Sequence, residues 1–184
     1  MEITTIDPKG DVCLITTDDK GSKFGFVVCS KILSLASKVF AALFGPRFAE
    51  GNALVTARDA PLNIELHDGS PQGMQLMQEF LHFCTRPETV ALDDLQKLAV
   101  VVDKYQCHDI FVDQASKWML KDIRNDYKLE TWPEYIGLAI AFRSSEVLNM
   151  MSIGLALILD DEDGCSRTHR TVLEGFVPEH ARGK

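Results

Sequence analysis

The sequence has no apolar run long enough to cross a bilayer, no surplus of positive charge, and too few cysteines for a stapled secreted domain. Its longest apolar stretch, Val147–Leu159, is interrupted by Asn149, Ser152 and Gly154. It falls short of the about 20 residues a membrane helix needs, so a membrane partner is not expected. The N-terminal MEITTIDPKGD is acidic and lacks an apolar core, which excludes a signal-peptide reading of that stretch. The five cysteines, at 13, 29, 84, 107 and 165, are odd in number and unpaired in spacing. Four of them sit inside apolar patterns, where Cys acts as a small hydrophobe, so a reducing interior, cytoplasm or nucleus, is expected.

The charge deficit is even along the chain. Residues 1–121 carry twelve basic and sixteen acidic side chains and residues 122–184 carry seven and eleven, so each part stands at −4 of the total −8. A chain with neither part basic repels phosphate backbones and anionic lipid, so no nucleic-acid partner is expected. Apolar residues make up 46% of the 184, enough for a true core and against wholesale disorder.

Catalytic and ligand-binding signatures are also missing. There is no G-x-S-x-G elbow, no Walker loop and no G-x-G-x-x-G. Histidines 67, 82, 108, 169 and 180 are scattered. Cysteines buried in apolar stripes are poor nucleophiles because burial raises the thiol pKa. The acidic run Asp160–Gly164 fails as a calcium loop: with Gly164 at position six, position one is Leu159 and position twelve Arg170. Cys165 and His169 make one C-x3-H pair, but no second pair completes a four-ligand zinc site. No catalytic residue, cofactor or metal site is expected.

What is present is Phe26–Phe44, FVVCSKILSLASKVFAALF. Phe24, Phe26 and Val28 alternate with Lys23, Gly25 and Val27, as in a strand with one better-buried face. Ile32, Leu33, Leu35, Ala36, Val39, Phe40, Ala42 and Leu43 then recur at helical spacing, predicting one helix, Ser30–Phe44, with Ser30 as N-cap and Gly45-Pro46 as its stop. Asp11–Thr16 predicts the partner strand, joined through turn residues 17–22. Residues 1–9 predict a polar lead.

These residues resemble the BTB/POZ family, in a fungal, stand-alone form. Asp11-Val12-Cys13-Leu14 matches the family's first strand. Phe26, Val28, Ile32, Leu33, Ser37, Phe40, Leu43 and Phe44 fall in register with its Phe-x-Val-His and Ser-x-x-Phe segments, with Cys29 in place of the family His. Leu81–Thr85 is a weakened match to an aromatic stretch, and Ala99–Tyr105 to a Leu-x-x-Ala-Asp-Lys-Tyr signature. The resemblance ends near Lys121. It implies an α+β BTB fold over residues 10–121, a helical extension over 122–163 and a flexible tail over 164–184.

The rest of the chain is read locally. Residues 47–63 predict a loop and 64–67 a third strand. Ser70-Pro71 starts a helix with Met74, Met77, Phe80, Leu81 and Cys84 on one stripe. A helix capped by Asp93 carries Leu95, Leu98, Ala99, Val102 and Tyr105; others span Asp109–Leu120, Trp132–Phe142 with Thr131 as cap, and Glu146–Leu159 capped by Ser144 or Ser145.

The function implied by the resemblance is non-catalytic protein–protein interaction, as an intracellular adaptor or scaffold. Phe48-Ala49-Glu50 is similar to the hydrophobic-x-Glu motif with which BTB adaptors dock cullin-type ubiquitin ligases, an aromatic anchor beside a carboxylate that fixes register. The alternatives are a homo-oligomerising scaffold without a ligase role, or an enzyme with an unrecognised site. Asp11 matches the Asp of the family's charged dimer pocket. The basic partner position falls on Ser30, so Asp11 is expected to be exposed or to cap a helix.

Overall fold

A computed structural model of the chain describes residues 1–56, 60–66, 70–84, 87–125 and 129–161. The described residues form an α+β structure of two compact units. One unit comprises Met1–Glu88 with Asp93–Phe111, the other Thr89–Leu92 with Val112–Lys184.

The first unit is built on a four-stranded sheet. Strand β2 (Val12–Thr17) is central, because Val12 through Thr16 are all buried and no face is left to water. Strand β3 (Lys23–Val28) pairs antiparallel to it, with Val12 opposite Val28 and Leu14 opposite Phe26. The connecting turn is held by Asp18, whose Oδ1 accepts from the backbone N–H of Lys20 and Ser22, and by Gly21 at φ 82°. Strand β4 (Leu62–Glu65) lies parallel to β2 on the other side. It begins two residues before the predicted third strand, and His67 lies outside the described residues.

Residues 1–9 are more than a polar lead. Glu2–Thr5 form strand β1, which runs parallel to the outer edge of β3 and satisfies its backbone groups. Buried Ile6 follows, and the N–H groups of Ile6 and Asp7 both donate to Val27 O at 3.0 Å.

The predicted helix Ser30–Phe44 is two helices, α1 (Ser30–Ala36) and α2 (Lys38–Leu43). Ser37 between them is extended, at φ −139° and ψ 125°. Its buried hydroxyl accepts from Phe40 N–H at 3.0 Å and donates to Tyr105 O at 2.6 Å. The first bond caps α2 and the second ties the break to the core. The buried side keeps its phase across the break, since Leu33 and Phe40 are seven residues apart. Leu33 and Phe40 are fully buried, whereas Leu35 and Ala42, expected on the stripe, are exposed. Phe40 stacks on Tyr105, with ring centroids 4.3 Å apart.

Ser30 is the first helical residue and not the cap. The cap position is Cys29, which offers no side-chain bond. Asp11 supplies it from the sheet: its Oδ1 accepts from Ser30 N–H at 2.7 Å and its Oδ2 from the Ser30 hydroxyl at 2.6 Å.

Residues 49–56, expected in a loop, form helix α3 (Ala49–Thr56). Helix α4 (Pro71–Leu81) starts as predicted, with Ser70 accepting from Gly73 N–H, and buries Met74, Met77, Phe80 and Leu81. It ends before Cys84, which is exposed; Phe83, at φ 58°, turns the chain out of the helix. Helix α5 (Leu92–Lys104) buries Leu95, Leu98, Val101 and Val102. Asp93 sits in its first turn beside Asp94 and does not cap it; both carboxylates oppose the positive helix end and pair with Lys97.

Helix α6 (His108–Asn125) extends beyond the expected Asp109–Leu120. The expected boundary at 121/122 falls inside it, while the compact units part at 111/112. In the second unit α7 (Trp132–Ala141) follows a 3-10 turn at Leu129–Thr131, so Thr131 makes no side-chain cap. Helix α8 (Ser145–Asp161) packs on α7 at Gly154, where a Cβ would come within 2.4 Å of the Trp132 ring. Ser144 is its cap. Val147 N–H donates to Ser144 Oγ at 3.3 Å, Ser144 donates to Ser116 Oγ at 2.6 Å, and Ser116 donates to Val112 O at 2.6 Å. The Ser116 proton is committed to that carbonyl, so Ser144 is the donor of the pair. Residues 162–184, with the expected tail, lie outside the described residues.

Replacing Asp11 by Ala should leave the α1 N-terminus uncapped and lower stability by about 1–2 kcal/mol. Urea unfolding checks this: the midpoint falls at unchanged slope, and Ser30→Ala, which keeps the backbone bond, costs less.

Candidate interaction site

Phe48 and Glu50 sit where α3 leaves α2. The chain turns at Gly45, whose carbonyl accepts from Phe48 N–H at 3.3 Å. Phe48 then acts as the helix start, its carbonyl accepting from Asn52 N–H at 3.2 Å and from Asn52 Nδ2 at 3.1 Å. The Phe48 ring is 46% exposed, too open to be a core residue. Glu50 lies in the first turn of α3, half-buried, where the helix dipole favours a carboxylate. The motif is therefore carried by a helix start and not by a loop.

The placement of that helix depends on Gly51. A Cβ there would lie 2.1 Å from Gly45 O and 2.6 Å from Phe44 O. Only glycine lets α3 rest on the backbone that ends α2. From sequence, Gly51 counts with Asn52, Pro61 and Asn63 as a loop residue, because the apolar residues of 49–56 form no stripe and no helix is expected there.

Asp11 stands apart from this site in role. Its carboxylate is exposed, and both of its oxygens are engaged by Ser30. That matches the expectation that it is exposed or caps a helix.

The groups with nucleophilic or acid–base chemistry serve the core. His82 is half-buried: its Nδ1–H donates to Gln78 O at 2.9 Å and its Nε2 accepts from Cys29 N–H at 3.0 Å. Both ring nitrogens are used by backbone, which fixes the neutral Nδ1–H tautomer. Buried His108 lies 3.2 Å from Asp103. Burial pushes the Cys107 thiol up to about 11, against a hydrogen bond with Ser37 that lowers it. Burial also lifts Tyr105 to about 12, aided by the neighbouring Cys107, and raises Cys13. Thiols held in the protonated state are weak nucleophiles. Cys84 is the exposed cysteine among the described residues, and Cys29 is half-buried.

Among the described residues no group of three His, Cys, Asp or Glu side chains is placed to hold a metal, and no helix is long and apolar enough to cross a membrane. Cys165, His169 and His180 lie outside the described residues. Comparison of the sequence with protein-family models and with curated proteins returned no match.

Two outcomes follow from this geometry. Gly51→Ala should displace α3 and lower stability by about 1–3 kcal/mol, read as a lower urea midpoint. Cys107 and Tyr105 have folded pKa values above their unfolded ones, so the native state holds protons the unfolded state has lost. Stability should be intact below pH 9 and fall as pH rises towards 11 and beyond. Urea midpoints across that range should drop less steeply for Cys107→Ala than for the parent chain.

Proposed function

We propose that this chain is a non-catalytic protein–protein interaction module, an adaptor of the BTB/POZ type that its sequence resembles. The observation that carries the reading is the exposed Phe48 at the start of a helix braced through Gly51, with Glu50 two residues on. An exposed aromatic that enters a partner's pocket is one of the residue types from which interfaces draw much of their binding energy. The buried state of Cys13, Cys107 and His108 supports the same reading, since it keeps those groups from a substrate.

The finer reading is docking to a cullin-type ubiquitin ligase scaffold through Phe48 and Glu50. Titration of a purified cullin N-terminal domain tests it. The full chain should bind with a dissociation constant of about 1 μM or tighter, and Phe48→Ala/Glu50→Ala should weaken that at least about tenfold. Absence of binding by the parent chain would sink the ligase reading.

A second reading, a homo-oligomerising scaffold, draws on β1. This short strand lies at one end of the sheet order, with Met1 and Ile3 exposed. Unpaired strand edges readily accept another chain. Light scattering of the purified chain separates the two readings: a monomer leaves only the adaptor.

A further inference from the structure

Helix α7 has more apolar surface than its own hairpin covers. Over residues 133–142 Glu134 is the one charged side chain. Trp132, Tyr135, Leu138 and Ala139 are buried and account for one side of the helix. Pro133, Gly137 and Ile140 recur at i, i+4 and i+7 on the opposite side and are all exposed, Ile140 by 63%. Half-buried Ile136 and Ala141 flank them, and Glu134 stands at the border. These five residues make a stripe, on a helix about 15 Å long, with no charge and no side-chain hydrogen-bonding group. A surface helix ordinarily turns polar residues to that side.

Gly137 stands in the middle of the stripe, and its own surroundings give no reason for a glycine. Its φ lies outside the left-handed region, and a Cβ there would meet no atom of the described residues within 4 Å. Gly154 of α8 differs, because a Cβ there would strike the Trp132 ring. Glycine weakens a helix interior relative to alanine. What it offers in exchange is a backbone that another chain can approach closely.

We infer that the Pro133–Gly137–Ile140 face of α7 pairs with the same face of a second copy of this chain, antiparallel about a twofold axis at Gly137. Composition selects the occupant. Interfaces between identical copies are more apolar than those between different proteins, and a twofold axis makes one stripe its own complement. With the axis at Gly137, residue 140 of one copy lies level with residue 134 of the other. Ile140 of each copy then falls between Pro133 and Gly137 of its partner.

Charge sets the direction. Exposed Glu130 and Glu134 stand at the start of α7. Helix α8 returns past Trp132, on which Gly154 packs, and finishes at Asp160-Asp161, so this end of the hairpin is acidic. The other end carries exposed Arg143 and Glu146, one charge of each sign. Antiparallel pairing sets each acidic end against the balanced end of the other copy and opposes the two helix dipoles. Parallel pairing would bring the acidic ends together. One crossing of helices about 10 Å wide falls short of the about 1,000 Å² of a stable interface, so the pair is weak, with a dissociation constant of about 10–100 μM. This face uses neither Phe48 and Glu50 nor β1, so it stands apart from the ligase reading and gives the scaffold reading a surface of its own.

Sedimentation equilibrium of the intact chain from about 5 to 500 μM tests the inference. The average mass should rise from that of one chain towards that of two. Association should hold or tighten with added salt, because two chains of net −8 repel and salt screens that repulsion. Gly137→Leu fills the point of closest approach, and Ile140→Glu sets a carboxylate level with Glu134 of the other copy. Each should weaken pairing at least about tenfold. Ile3→Lys, on β1, should leave it unchanged. The urea midpoint of Gly137→Leu should match or exceed that of the parent chain, because leucine is the better helix former and the position is open, so lost pairing there is not lost folding. One-chain mass across the whole range overturns the inference and leaves another protein or residues 162–184 to cover the face. A dimer that ignores both α7 variants also overturns it, and its loss in Ile3→Lys would assign the contact to the sheet edge.

Discussion

One buried hydroxyl organises the first unit. Ser37 stands extended between two helices, accepting from Phe40 and donating to the carbonyl of Tyr105, a residue sixty-eight positions further on. Its own backbone N–H still donates to Leu33 O and its carbonyl still accepts from Ala41 N–H, so the hydroxyl adds two bonds at the break. The consequences run outwards. Phe40, seated by that cap, lies flat against Tyr105, and the carbonyls of Phe44 and Gly45 just beyond α2 receive Gly51 of α3.

A second constraint acts at the other end of α1. The helix has no local cap, and Asp11 from the sheet supplies one. His82, from the end of α4, takes up the N–H of Cys29 in the adjoining position. Sheet, first helix and fourth helix thus meet at residues 29 and 30, each satisfying a group that burial would otherwise penalise. The polar side chains of Asp11 and His82 are spent on structure here.

Much of this was legible in the sequence. The alternation in β3, the turn built on Asp18 and Gly21, the Ser70-Pro71 start and a serine cap at 144 or 145 are all set by near neighbours, and each was readable as such. What escaped depends on distant partners. Ser37 reads as an ordinary helical residue until Tyr105 is beside it. Strand β1 is short, and its partner, β3, lies about twenty residues on. Helix α3 has no apolar stripe and is held by a backbone contact through a missing side chain. Leu35 lies inside α1 but on the side away from buried Leu33, and Cys84 lies past the end of α4. For the candidate site, Phe48 and Glu50 were singled out by motif resemblance, while the helix that carries them was not legible because its packing depends on Gly51.

The most direct test is the backbone conformation of Ser37 in solution. Backbone-resonance assignment of the isotopically labelled chain gives the Cα and Cβ chemical shifts from Ser30 to Leu43. Helical shifts on both sides of an extended Ser37 are expected, and they should merge into one helical run in Ser37→Ala. Helical shifts at Ser37 in the parent chain would contradict the account, because the break that Ser37 caps and ties to Tyr105 would then be absent.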